Sequence, residues 1–271
     1  MILEKTVELI KSIYKYHKII PPKINRVIIG LGYTGVELVA YAYEPFLGLA
    51  YTLPSIIRET SCSKINFAGN LTNMKLNQLL EWSYAAPNIK KIIGIATLNA
   101  MSQHVLKVKN PYEEIKEDLL EYLKIKEDSK VTFIGQIGPL IKQASKYTQK
   151  IIIIEDSQNI SKSFKRFPCF NDLNQLKEDD LKTDILFCTG TTLINNTLET
   201  ILKRYQRKAK KIILIGPTAS MLPDILFDQG VDIVGGMQVR DVDATIHVIQ
   251  QAGGTKLFKA YCKKYNFVNL L

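Results

Sequence analysis

Short apolar segments alternate with helical segments through the second half of the chain, and this alternation limits the folds that the chain can adopt. Five segments share an apolar centre and a polar or glycine-containing end: KVTFIGQI, QKIIIIEDS, KTDILFCTG, KKIILIGP and VDIVGGMQV. Strands that are apolar along their whole length are typical of a parallel sheet covered by helices on both faces. The pattern therefore predicts an α/β fold, with a Rossmann-like domain of at least five strands over residues 109–271.

Residues 1–108 predict a smaller α+β domain. Residues 4–18 repeat apolar positions at helical spacing, and Pro21 and Pro22 end that helix. Between residues 26 and 54, glycines and a Glu-Pro pair interrupt short apolar segments. This is typical of an antiparallel meander.

Three further helices are predicted around the boundary between the two domains. Two of them cover 74–85 and 87–105, and the second has a proline at its start. The charged stretch 107–125 predicts an amphipathic helix. The composition changes near residues 107–112, so we place the domain boundary there.

The charge pattern limits the classes of partner. The chain carries a formal net charge of +10, which permits nucleic-acid binding, but its lysines are interleaved with acids and no basic stripe is visible. We expect no nucleic-acid partner and a field that attracts small anions. No apolar run reaches the length of a membrane span. The first helix carries Glu4 and Glu8 rather than a signal sequence, so we expect a cytoplasmic protein without a membrane partner. Assembly into a homo-oligomer stays open.

Ligands of open parallel sheets bind outside the carboxyl ends of the strands. Most of these ends contain glycine, which lets the backbone approach a ligand, and each following helix offers free N–H groups. The candidate ligand-binding residues at these ends are Gly135, Gly138, Glu155, Thr189, Gly190, Thr191, Thr192, Asn195, Gly216, Pro217, Thr218 and Gly236.

The segment FCTGTTLINNT at 187–197 is the most unusual of these ends because it is neutral and rich in hydroxyl and amide groups. Thr191 or Thr192 can cap the helix that follows. A cap does not account for Thr189 and Asn195 as well, since asparagine is a poor helix former. We therefore favour a ligand-binding role for this turn.

The segment GQIGP at 135–139 forms half of a dinucleotide-binding fingerprint. It lacks the third glycine, and Pro139 replaces an N–H donor where a pyrophosphate would need one. Glu155, at the end of the next strand, could hold a ribose, an amine or a metal, or simply be solvated. A Rossmann-type transferase with a nucleotide cosubstrate such as S-adenosylmethionine is therefore the alternative function.

With these residues assembled, the chain resembles the heavy-metal chelation family. The segments TGTTLINNTLETIL and IILIGPTASMLPDILFDQGVDIVGGMQV resemble its Rossmann-like C-terminal domain. GLGYTGVELV, GLAYT and GIATLNA resemble its companion domain, which is similar to the N-terminal domain of enolases. The residues that match the family's C-terminal pattern are Gly190, Thr191, Thr192, Asn195, Thr197, Gly216, Pro217, Thr218, Pro223, Gly230, Val231, Asp232 and Gly236. The resemblance implies a role in handling heavy metals, with anaerobic cobalamin or related tetrapyrrole synthesis as the expected context.

The residues themselves provide few ligands for a soft metal. The four cysteines (Cys62, Cys169, Cys188 and Cys262) and three histidines (His17, His104 and His247) form no CxxC or HxxxH pair. His104, near the domain junction, and Cys188, at a strand end, are the only weak metal-ligand candidates. If a divalent heavy metal is the cofactor, we expect oxygen and amide ligands, or a metal carried by the substrate itself.

Two asparagines of the N-terminal domain complete the candidate site. Asn73 follows a loop that enters a helix, where it can act as a cap or contact a ligand. Asn99 lies in an otherwise apolar helix, where it can bond a neighbouring carbonyl or face a cleft between the domains. We expect the protein to bind a small anionic or metal-bearing molecule in that cleft. No catalytic arrangement of residues is visible, so a non-catalytic metal-binding or storage protein is a further alternative.

Overall fold

The computed structural model of the protein describes residues 1–59, 65–156 and 161–270, and its strands form two sheets. The strands are β1 (Lys23–Ile29), β2 (Tyr33–Val39), β3 (Pro45–Tyr51), β4 (Val131–Ile134), β5 (Ile151–Ile154), β6 (Cys169–Phe170), β7 (Thr183–Thr189), β8 (Ala209–Ile215), β9 (Ile233–Val239) and β10 (Cys262–Val268). The α-helices are α1 (Ile2–Tyr16), α2 (Pro54–Glu59), α3 (Leu76–Glu81), α4 (Ile89–Val108), α5 (Leu119–Tyr122), α6 (Gly138–Ala144), α7 (Glu178–Leu181), α8 (Leu198–Tyr205), α9 (Asp224–Asp228), α10 (Val242–Gln250) and α11 (Thr255–Phe258).

The larger sheet confirms the predicted Rossmann-like fold. Its order is β10–β9–β8–β7–β4–β5–β6, and every pair is parallel except β10 with β9. The chain starts in the middle with β4, adds β5 and β6 on one side, and then moves to β7 on the other side. The strand order therefore reverses between β4 and β7. The short edge strand β6 and the antiparallel strand β10 were not predicted from the sequence.

The predicted helix over 107–125 is wrong, because only the last two residues of α4 and the four residues of α5 are helical within it. The residues before α5 pair instead with the outer edge of β10. Ile115 N donates to Asn266 O at 2.9 Å, and Val268 N donates to Glu113 O at 3.1 Å. This pairing satisfies backbone groups that β10 would otherwise leave exposed. A contact with a distant strand has overridden the local preference for helix.

The smaller sheet is the predicted antiparallel meander β1–β2–β3, and α4 packs against it. From Ile89 to Val105 every residue of α4 except Lys90 is buried. A Cβ placed on Gly48 of β3 would lie 2.0 Å from Ala96 O and 2.3 Å from Ala100 N of α4. Only glycine permits so close an approach between this strand and the helix.

One apolar core joins the two halves of the chain. It extends from Ile2 in α1 through Ile95 in α4 to Leu214 in β8 and Val234 in β9. The helix α4 is therefore covered by the small sheet, by α1 and by elements of the large sheet. The division into 1–108 and 109–271 stays a prediction about independent folding units. Among the described residues, no helix is long and apolar enough to cross a membrane.

Candidate functional site

The reversal of strand order places the loops after β4 and β7 side by side. Gly135 follows β4 with φ of +92°, and a Cβ on it would lie 2.5 Å from Thr189 Cγ2. The methyl group of Thr189 thus occupies the crevice between the two strand ends. This is the position at which ligands of open α/β sheets commonly bind.

The loop after β4 has little capacity left for a phosphate group. Gln136 N donates to Glu155 Oε2 at 2.6 Å. The N–H groups of Gly135, Ile137 and Gly138 donate to Ile154 O, Gly135 O and Gln136 O, respectively. The carboxylate of Glu155 therefore occupies the place that an anionic ligand would take on this loop.

The turn after β7 satisfies much of its own polarity. The predicted cap at Thr191 or Thr192 is wrong, since Thr197 is the N-cap of α8 and Thr189 is the N-cap of a 3₁₀ helix over Gly190–Leu193. Thr192 Oγ1 donates to Thr189 O at 2.8 Å. The half-buried Asn195 accepts a hydrogen bond from Thr197 Oγ1 at 2.7 Å. Local capping thus accounts for most of this turn, and a ligand-binding role for it stays a prediction.

The loop after β8 faces α4 rather than solvent. Gly216 has φ of +124°, and Pro217 and Thr218 are buried. Asn99 Nδ2 of α4 donates to Thr218 O at 3.0 Å and to Leu49 O of β3 at 2.8 Å. Asn99 therefore donates hydrogen bonds to carbonyl groups in both halves of the chain. Bonding a carbonyl was the first of the two roles that the sequence left open for this residue. Its buried Oδ1 has no hydrogen-bond partner within the described parts of the chain.

A second amide of α4 continues this polar contact. Gln103 Nε2 donates at 3.0 Å both to Ser220 O and to Tyr265 Oη. Gly236 lies beneath the Tyr265 ring, and a Cβ on it would be 2.4 Å from the hydroxyl oxygen. Gly236 thus makes room for a tyrosine. Gln103 and Tyr265 were missed from the sequence because they lie 162 residues apart along the chain.

A cleft lies at the carboxyl end of β9, between the two halves of the chain. Its volume is about 510 Å³, within the range of small-molecule sites. The start of β3, the end of α4 and the start of α10 form its walls. Its polar lining consists of Glu44, Gln103, Lys107, Gln238, Arg240, Asp241 and Asp243. None of the ligand-binding residues predicted from the sequence lines this cleft.

The residues of this cleft were missed because the end of β9 was misplaced in the sequence prediction. The sequence prediction ended β9 at its two glycines, whereas the strand continues to Val239. Arg240 and Asp241 come directly after that end. The rule that ligands bind at strand ends would have indicated them had the end been placed correctly.

Some of the charged side chains in this cleft form ion pairs and others do not. Glu44 forms an ion pair with Lys107 at 3.3 Å, and Asp243 forms one with Arg26 at 2.5 Å. Asp241 Oδ1 accepts from Ala244 N at 3.0 Å and caps α10. The side chain of Arg240 is exposed and has no hydrogen bond or ion pair to any described residue. Arg240 is therefore the cation of this lining without an ion pair to a described residue, and Asp241 is the acid without one.

A smaller cavity of about 160 Å³ lies beside the turn after β7. Thr192 is the one predicted ligand-binding residue on its wall, and Lys91 of α4 is also part of that wall. The Lys91 side chain is wholly buried, and its Nζ donates to Ala85 O at 3.1 Å and to Asn196 Oδ1 at 2.7 Å. Burial lowers the pKa of Lys91 to about 8, and the nearby Glu199 carboxylate offsets part of that effect.

The described residues do not form a site for a soft metal. They contain no group of three or more His, Cys, Asp or Glu side chains that could hold a metal ion. His104 is buried, with Nδ1 2.6 Å from Tyr14 Oη, and burial lowers its pKa. Cys188 is wholly buried, which raises the pKa of its thiol. The exposed Asn73 lines neither cavity, and Cys62 lies outside the described residues.

Comparison with known proteins gives two matching family models, both described as "Putative heavy-metal chelation". One, DUF364, matches residues 118–268, and the other, DUF4213, matches residues 16–102. An uncharacterized protein of Methanocaldococcus jannaschii is 28% identical over 195 residues, which are 71% of each chain. The predicted resemblance is therefore confirmed.

Two crystal structures of DUF364-family proteins of unknown function are similar along nearly the whole chain. The protein from Pyrococcus horikoshii is 21% identical with a TM-score of 0.73, and the match covers 99% of this chain and 100% of that one. The protein from Desulfitobacterium hafniense is 17% identical with a TM-score of 0.71, and the match covers 96% and 100%. At these identities the likeness establishes the fold alone.

Proposed function

This chain belongs to DUF364, the family described as "Putative heavy-metal chelation", and on that premise we propose that it binds a small carboxylate-bearing molecule, with or without a bound divalent heavy metal. The proposed site is the 510 Å³ cleft at the carboxyl end of β9. The observation that carries the proposal is the unpaired guanidinium of Arg240 on the wall of this cleft.

Arg240 is suited to a carboxylate because its planar guanidinium can donate two parallel hydrogen bonds to one carboxylate group. Two of the three acids of the cleft are paired with other cations, Glu44 with Lys107 and Asp243 with Arg26, and the third, Asp241, caps α10. The amide of Gln238 adds a neutral donor and acceptor to the same wall. The net positive charge of the chain favours the approach of an anion.

The metal in this proposal is cargo held by the small molecule. A heavy metal prefers thiolate and imidazole ligands, and the described residues offer no cluster of them. A ligand with its own nitrogen or carboxylate donors would hold the ion, and the protein would hold the ligand. A tetrapyrrole with carboxylate side chains, of the cobalamin type, belongs to this class.

The two alternatives have less support. A nucleotide cosubstrate would need free N–H groups in the loop after β4, and those from Gly135 to Gly138 have partners. A storage protein that binds bare metal would need a ligand cluster, which the described segments lack.

Equilibrium dialysis with three probes tests the proposal: nitrilotriacetate, its cobalt(II) complex and cobalt(II) ions alone. We expect the complex to bind with at least tenfold higher affinity than the bare ion. Arg240→Ala should weaken that binding at least tenfold, because a hydrogen-bonded charge contributes about 1.5–3 kcal/mol. Arg204→Ala, in α8, removes the same charge outside the cleft and should leave binding unchanged. Tighter binding of the bare ion, or no effect of Arg240→Ala, would contradict the proposal.

A further inference from the structure

Lys91 has a position that the proposed function does not explain. It lies in the first turn of α4, on the wall of the 160 Å³ cavity, whereas Gln103 and Lys107 of the larger cleft lie near the other end of this helix. A lysine is almost never fully buried unless it is paired with a charge. The two hydrogen-bond partners of Lys91 are both neutral oxygens. We propose that Lys91 is a nucleophilic amine that forms an imine with a small aldehyde or ketone bound in this cavity.

The hydrogen bonds leave the amine suitably arranged for this reaction. A neutral amine has two N–H groups and one lone pair. Ala85 O and Asn196 Oδ1 accept two hydrogen bonds, and no further partner of Nζ exists among the residues described. The lone pair of the neutral amine is then free for a carbonyl carbon. Asn196 lies in the left-handed region with φ of 61°, which asparagine tolerates better than most residues.

Burial shifts the Lys91 amine towards its neutral form. Burial lowers the pKa of Lys91 from 10.5 to about 8, while the Glu199 carboxylate acts in the opposite direction. Glu199 and Met1 provide the other charged groups on the wall of the cavity. At pH 7 the neutral fraction of Lys91 is therefore roughly 300-fold larger than that of an ordinary lysine.

The cavity limits the size of the carbonyl compound. A volume of about 160 Å³ is close to that of an engineered cavity that holds benzene. The compound should therefore have about four to six non-hydrogen atoms. Ile2, Leu3, Leu193 and Leu198 make much of the wall apolar, and Glu199 makes part of it acidic. An uncharged aldehyde or ketone fits this lining better than an anionic one.

The reaction involves no oxidation or reduction. The lone pair of Lys91 Nζ attacks the carbonyl carbon, a C–N bond forms, and a proton moves from nitrogen to oxygen to give a carbinolamine. Water then leaves as the C=N bond forms, so amine and carbonyl compound yield imine and water. Glu199 accepts a hydrogen bond from Ile2 N at 2.7 Å through Oε1. Its other carboxylate oxygen makes no hydrogen bond to a described residue, and we assign it the role of relaying the proton.

Reductive alkylation tests this proposal on the intact protein. The protein is treated with propanal and cyanoborohydride at pH 7, and the initial rate at each lysine is measured by peptide mass spectrometry. We expect Lys91 to react at least tenfold faster than its neighbour Lys90, which is half-buried over the rings of Phe67 and Trp82. The rate at Lys91 should saturate with propanal concentration. It should also increase with pH and reach half of its maximum near pH 8.

A bulky aldehyde and two variants provide the controls. Pyridoxal phosphate is too large for the cavity, so it should modify exposed lysines and leave Lys91 unmodified. Lys91→Arg should abolish the fast reaction, whereas Lys90→Arg should keep it. The proposal is overturned if Lys91 in the unaltered protein reacts no faster than Lys90, or if its rate shows no saturation. Since that measurement needs no variant, it remains decisive even if Lys91→Arg folds poorly.

Discussion

Replacing Lys91 by methionine should change how the stability of the protein depends on pH. Methionine keeps a long apolar side chain and removes the ionisable amine. The pKa of Lys91 falls from 10.5 in the unfolded chain to about 8 in the folded protein. This difference corresponds to about 3 kcal/mol of destabilisation of the charged form.

The sign of the effect follows from proton binding. Between pH 8 and 10.5 the unfolded chain binds more protons than the folded protein at this site. The stability contributed by Lys91 therefore rises with pH across that window. Below pH 8 the full cost of burying the charge is present, and above pH 10.5 it is absent.

The variant loses two hydrogen bonds, to Ala85 O and Asn196 Oδ1, each worth about 1 kcal/mol. We therefore expect Lys91→Met to be about 1 kcal/mol more stable than the unaltered protein at pH 7 and about 2 kcal/mol less stable at pH 10.5. Urea unfolding at both pH values measures the two differences. Lys90→Met controls for removing a lysine from the same turn of α4. A difference between Lys91→Met and the unaltered protein that is the same at both pH values would refute the reasoning.

Two further substitutions and limited proteolysis test the fold. Gly135→Ala should lower the free energy of unfolding by at least about 2 kcal/mol, because a Cβ there meets the Thr189 methyl at 2.5 Å and φ is +92°. Chemical denaturation measures this free energy, and an unchanged denaturation midpoint would contradict the prediction. Asn99→Asp should destabilise the protein by about 3 kcal/mol or more, since the new carboxylate would face carbonyl groups including Thr218 O. An unchanged melting temperature would show that this contact between the two halves of the chain is weak. Limited proteolysis should cut first within 107–110 if the two predicted domains are folding units, and preferred cleavage within 185–240 would show that they are not.

Much of the fold follows from local sequence because its strands are short apolar runs. Segments such as IIII at 151–154 are buried on both faces, so their composition alone predicts a central parallel strand. Residues 107–125 were mispredicted because their backbone pairs with β10, which lies about 150 residues later in the chain. The strand β10 itself, CKKYNFV, carries lysines on an edge and lacks the apolar signature of its neighbours.

The candidate site was less predictable because burial and pairing depend on distant residues. Lys91 looks like an exposed lysine near a helix N-terminus, and it is buried only because α1 and the turn after β7 cover it. Arg240 is one of many basic residues in the sequence, and only the fold shows that it lines the cleft without an ion pair to a described residue. Asn99 was recognised as unusual, but its partners in β3 and after β8 could not be identified from spacing.

Locating a bound metal complex tests the central claim most directly. A crystal soaked with cobalt(II) nitrilotriacetate, measured at the cobalt absorption edge, gives the position of the metal by anomalous scattering. We predict a peak in the cleft at the carboxyl end of β9, with the nitrilotriacetate carboxylates within hydrogen-bonding distance of Arg240 and no protein thiolate or imidazole on the metal. A peak at His104 or Cys188, or beside Asn195 in the turn after β7, would contradict the account.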